Sequence, residues 1–139
     1  MESIVINELG SIDISEELIE KIVLFEMIKN DKIIIPCTKN GNIFKSNDFM
    51  KTKDSSGVVF TSFNDEGLLI EINYIAIFGK SLKKSAEKIF NIIIDRFIKM
   101  GIKPPIKIIA NIRGIISDNI ASRDIKLIWH NGLIEVEKL

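Results

Sequence analysis

Cysteine is nearly missing from this chain of 139 residues: Cys37 stands alone, so no internal disulfide can form. An unpaired thiol suits a reducing cytoplasm. Histidine is as scarce, with His130 the only one, which leaves histidine-cluster metal sites and Cys–His pairs without material. Long apolar runs are missing too. Stretches such as Ile22–Phe25 and Tyr74–Phe78 are short, well under the roughly 18 to 20 apolar residues of a membrane-spanning helix. The first residues, Met-Glu-Ser-Ile, lack the basic and apolar segments of a secretion signal, so a cytoplasmic location is expected.

Catalytic motifs fail on spacing. Gly79-Lys80-Ser81 follows a strand pattern and opens a helix pattern, as the end of a phosphate-binding loop would. That loop needs a further glycine where this chain has Tyr74. Ser81-Leu82-Lys83-Lys84 fits the Ser-x-x-Lys pattern of penicillin-recognising enzymes, but the companion motifs are missing. The pairs Glu16/Glu17 and Asp65/Glu66 suit a helix start and a turn. The chain is therefore expected to be no enzyme and to need neither cofactor nor metal. What survives is a helix N-terminus with Gly79, Lys80, Ser81, Lys83 and Lys84, a place that could hold an anion or a partner. Trp129, on a terminal hairpin, joins them as a candidate interface anchor.

What is present is a large apolar fraction, 46%, dominated by isoleucine, in a chain long enough for one core. Net charge is zero, but residues 1–79 carry 7 basic against 13 acidic side chains and residues 80–139 carry 12 against 6. Such a dipolar chain could associate head to tail or offer its basic segment to an anionic partner, unless folding mixes the two halves.

Extended segments are expected at 3–7 and 11–14 around Gly10. A helix begins at the N-cap Ser15, with Leu18, Ile22, Phe25 and Ile28 as its apolar stripe, and ends at Asn30-Asp31. A short strand at 32–36 stops at Pro36, and a polar loop over 38–56 turns at residues 39–42. Strands at 57–63 and 68–78 form a hairpin through Asn64-Asp65-Glu66-Gly67. The longest helix covers 82–100, with Ser81 as N-cap and Gly101 as C-cap. Its stripe is Ala86, Ile89, Phe90, Ile93, Phe97 and Met100. A strand follows at 106–113, then a polar stretch at 117–124. A last hairpin, 125–129 with 133–136, turns at Asn131-Gly132. The fold class expected is α+β: one mainly antiparallel sheet, two amphipathic helices packed on one face, and a C-terminal hairpin.

Two blocks carry a resemblance. The first is Gly10-Ser-Ile-Asp-Ile-Ser-Glu-Glu-Leu-Ile-Glu-Lys-Ile22. The second opens with Gly67-Leu-Leu-Ile-Glu-Ile-Asn-Tyr-Ile-Ala-Ile-Phe-Gly-Lys-Ser-Leu82, passes Met100-Gly101 and closes over Ile106–Gly114. Together they resemble the alkaline shock family of bacterial cell-envelope stress proteins. That family runs a strand into a Ser-initiated helix, ends a strand at an aromatic-Gly pair, and follows a Gly-capped helix with an alternating strand. The usual Gly-Val turn after the first helix is replaced here by Lys29-Asn30-Asp31-Lys32. The resemblance covers residues 3–114; residues 1–114 are expected to form one domain of this kind, and 115–139, outside the resemblance, an extension whose β-hairpin packs on it.

The resemblance implies a non-enzymatic adaptor or scaffold in envelope stress or lipid-metabolism control, acting by self-association and protein binding. A protein partner, a membrane-associated anchor or a lipid-synthesis protein, would then hold it near the membrane without a span of its own. The alternative from the residues themselves is a nucleic-acid-binding α+β module that uses the basic segment 80–126.

Overall fold

In a computed structural model the described residues are 3–7, 10–13, 15–44, 57–117 and 120–138. The elements run β1 (Ser3–Asn7), β2 (Gly10–Asp13), α1 (Glu16–Lys29), β3 (Ile34–Pro36), β4 (Val59–Asn64) and β5 (Gly67–Ile77). Then come α2 (Leu82–Lys99), β6 (Lys107–Ile116), β7 (Ile120–His130) and β8 (Leu133–Lys138). Strands β3 to β8 form one six-stranded sheet in the order β3-β5-β6-β7-β8, with β4 also paired to β5. Strands β5 and β6 run parallel, and the other pairs are antiparallel. The α+β architecture read from the sequence is the one found. One element differs: β1 and β2 pair only with each other among the described residues, as a separate two-stranded sheet.

Local chemistry explains the boundaries. Ser15 and Ser81 each accept a hydrogen bond at 3.2 Å from the backbone N–H three residues on, which satisfies a helix donor that would otherwise be orphaned. Beyond α2, Gly101 takes φ +73°, and Ile102 donates its N–H to the carbonyl of Phe97 at 3.1 Å. This closes the helix with a left-handed glycine and buries Ile102. The β4–β5 turn is held by Asn64, whose side-chain oxygen accepts from the N–H groups of Glu66 and Gly67. The β7–β8 turn has positive φ at both Asn131 and Gly132, the conformation that two-residue hairpins favour. Residues 38–42 form the expected turn, with Thr38 donating to the Asn42 carbonyl. The rest of the expected polar loop, 45–56, lies outside the described residues.

The core lies between the sheet and the two helices. Ile70, Ile72 and Tyr74 of β5, Ile108, Ala110 and Ile112 of β6, and Leu127 of β7 point into it. From α2, Ala86, Ile89, Phe90, Ile93 and Phe97 meet them, as their spacing predicts. Helix α1 corrects the sequence reading. Its buried residues are Ile19, Val23, Leu24, Glu26 and Met27, whereas Leu18 and Phe25 are exposed and Ile22 is half-buried. The helix is apolar on almost every side, so two stripes compete at helical spacing. The stripe that meets β3, β4 and α2 wins because it completes the core.

The expected polar stretch at 117–124 is corrected as well. Strand β7 begins at Ile120 and pairs with β6 from Lys107↔His130 to Ile116↔Ile120. Backbone hydrogen bonding to a long neighbour offsets the weak strand propensity of Ser122 and Asp124.

Candidate functional site

Beyond β7, the helix layer ends before the sheet does. Strand β8 pairs with β7 in unbroken register, from Ile125↔Lys138 to His130↔Leu133, and with no other strand among the described residues. Its outer edge therefore presents backbone N–H and C=O groups with no ladder partner there. Pairing with Trp129 and Leu127 sets Ile134 and Val136 on the helix side. Pairing with His130, Ile128 and Lys126 sets Leu133, Glu135 and Glu137 on the other side. Ile134 is half-buried against the core, but Val136 is 54% and Leu133 71% exposed. Where α2 lies over this corner, a groove of about 330 Å³ is lined by the polar Lys83, Glu87 and Asn91 and by Phe90, Trp129, Gly132, Leu133 and Ile134.

Of the residues singled out from the sequence, this groove brings together Lys83 and Trp129. Trp129 is half-buried and packs on the core, so it forms the groove wall and does not project from the hairpin. Gly79, Lys80, Ser81 and Lys84 are exposed at the start of α2 and do not line the groove. Ser81 is occupied as the N-cap, accepting from the N–H of Lys84.

A second cluster lies on the sheet face that carries neither α1 nor α2, and sequence reasoning missed it. Glu71 and Asn73 of β5 face the same way as Asn111 and Arg113 of β6. Asn111 donates its side-chain amide to Glu71. Asn73 donates to the Val58 carbonyl at 3.0 Å and accepts from Arg113 Nε at 3.0 Å. Arg113 also reaches Asp124 at 3.5 Å. A cleft of about 420 Å³ opens beside them, walled by Lys39, Phe60, Leu69, Glu71, Asn73 and Arg113. The available signal was two polar residues at alternate positions in each of two apolar strand patterns, Glu71/Asn73 and Asn111/Arg113. These polar groups are committed to one another, which suits them to fixing strand register and to shaping a cleft wall.

Among the described residues the titratable groups add no activated nucleophile. Burial pushes the Cys37 thiol up to about 12, only partly opposed by the nearby Arg113 cation, so the thiolate is suppressed. Burial likewise holds the Tyr74 phenol well above its ordinary value. Lys99 is raised by its hydrogen bond and charge pairing with Asp95, at an exposed helix end. Among the described residues no three His, Cys, Asp or Glu side chains converge on a point where a metal ion could sit. No helix among them is long and apolar enough to cross a membrane. The chain matches no known protein family, no curated protein and no solved structure.

Proposed function

We propose that this chain is a non-enzymatic adaptor that acts by binding proteins, in the cell-envelope stress setting implied by its resemblance to the alkaline shock family. The observation that carries the reading is the edge of β8. There Leu133 and Val136 stay in water beside a groove of mixed lining, on a strand with no outer neighbour among the described residues. Edge backbone groups together with exposed apolar side chains are the combination that partner strands recognise. The polar groups on the opposite face bond to each other, which suits them to holding the sheet that presents this edge. Association with the membrane would come through the bound partner.

The test is capture of the tagged chain from its native host, beside a Leu133→Asp/Val136→Asp variant whose circular dichroism matches that of the parent. Proteins held by the parent and lost by the variant support the reading; identical capture by both overturns it. The equilibrium mass of the purified chain reports self-association directly.

A second reading has one observation in its favour. Lys80, Lys83, Lys84 and Lys88 are all exposed along the start of α2, and none forms an ion pair among the described residues. Nucleic-acid binding through them would weaken steeply with salt and vanish in the Lys80→Glu/Lys83→Glu/Lys84→Glu variant.

A further inference from the structure

We infer that the β8 edge takes an extended segment of a different protein, one that alternates apolar with basic residues. This inference rests on the protein-binding reading of the same edge and adds the chemistry of the occupant.

The strand itself dictates the pattern. A segment laid antiparallel or parallel along β8 continues the sheet, and its side chains alternate between the two faces. On the helix side they meet Ile134 and the exposed Val136, with the Trp129 groove beyond. That face wants apolar residues. On the other side they lie next to Glu135 and Glu137, both exposed and two residues apart on one face. Glu137 has Lys126 opposite it on β7 and Glu135 has the apolar Ile128, and neither carboxylate forms an ion pair among the described residues. That face wants Lys or Arg, because opposite charges placed across neighbouring strands attract and like charges repel.

The same acids argue against a second copy of the chain as the occupant. A two-fold antiparallel pairing of β8 with itself keeps each face on its own side. It therefore sets Glu135 and Glu137 of one copy against those of the other. Charged residues on an edge strand are a common way of preventing such self-pairing. In this strand they leave open the docking of a segment of opposite charge.

The experiment titrates the full chain with two short capped peptides, one alternating valine with lysine and the other alternating valine with glutamate. Backbone amide shifts of residues 133–137 report the place of binding. The lysine peptide should bind about tenfold more tightly than the glutamate peptide at low salt, with the shifts centred on β8. In the Glu135→Lys/Glu137→Lys variant, an exposed charge change that leaves the core untouched, the order of the two peptides should invert. Equal binding of both peptides, an unchanged order in the variant, or shifts elsewhere would overturn the inference. A dimer that strengthens in the Glu135→Gln/Glu137→Gln variant would show that the edge belongs to a second copy, and would overturn it too. If the peptides fail while Leu133→Asp/Val136→Asp still abolishes native capture, the adaptor reading stands and only the occupant's chemistry is wrong. If native capture is also unchanged, both fall.

Discussion

Asn111 donates its side-chain amide to a carboxylate oxygen of Glu71 at 2.5 Å, across the parallel pair β5–β6 and on the face away from α1 and α2. Asn111 is 3% exposed, so its amide has little water to turn to. A buried polar group stripped of its partner pays its full desolvation cost, whereas removing both partners is far milder. Glu71→Leu alone should therefore lower the unfolding free energy by about 1–3 kcal/mol. The double variant Glu71→Leu/Asn111→Leu should recover most of that loss. Urea unfolding of the two single variants and the double closes the cycle, and simple additivity would show that the pair is not coupled.

The Tyr74 hydroxyl is wholly buried on the core side and meets no hydrogen-bond partner among the described residues. Tyr74→Phe should leave stability unchanged or raise it by about 1–2 kcal/mol, because it removes an unsatisfied group and keeps the ring. A clear loss of stability would mean that the hydroxyl is satisfied after all.

Alkaline pH should expose the same burial. The folded chain holds the Tyr74 proton well above the ordinary 10.0, and the Cys37 proton up to about 12 from an ordinary 9.0. Both groups bind a proton more tightly when folded, so their contribution is complete below the unfolded values and falls as pH rises. Stability should be flat up to about pH 9, then decline by up to about 1.4 kcal/mol per pH unit for each group titrating in the unfolded chain. Tyr74→Phe should remove the component that sets in near pH 10. Native Cys37 should also resist alkylation until denaturant opens the core. Rapid labelling of the native chain would contradict its burial.

Helix α1 supplies a direct comparison of its two apolar stripes. Leu24 is fully buried and Leu18 is 48% exposed. Leu24→Ala should cost about 2–5 kcal/mol and Leu18→Ala no more than about 0.5 kcal/mol. The reverse order would place the Leu18, Ile22 and Phe25 stripe in the core.

That comparison marks where the sequence was legible and where it was not. Helix α2 could be read closely: Ala86, Ile89, Phe90, Ile93 and Phe97 are buried as their spacing predicts, although Ile98 stays exposed, and Ser81 and Gly101 cap it. Helix α1 could be located but not oriented, because Leu18, Ile22 and Phe25 recur at helical spacing, as Ile19, Val23 and Met27 also do. Hydrophobic period identifies a helix, but it cannot choose between two apolar faces.

The candidate site divides in the same way. Lys83 and Trp129 could each be picked out by residue type, but only the placement of α2 over the β7–β8 corner makes them walls of one groove. The Glu71–Asn111 and Asn73–Arg113 bonds depend on the parallel register of β5 and β6, strands separated in sequence by a whole helix.

The sequence by itself determined the α+β class, the capped ends of both helices, the Asn131-Gly132 turn and the alternation of acid and apolar residues along β8. These are local properties, set by backbone conformation and side-chain period. Tertiary structure alone decided which stripe of α1 is buried, that β7 extends back to Ile120, and that β8 is left at the sheet edge with Val136 in water. Each of these depends on which surfaces meet across the fold, and burial and strand pairing are settled only between segments distant in the chain.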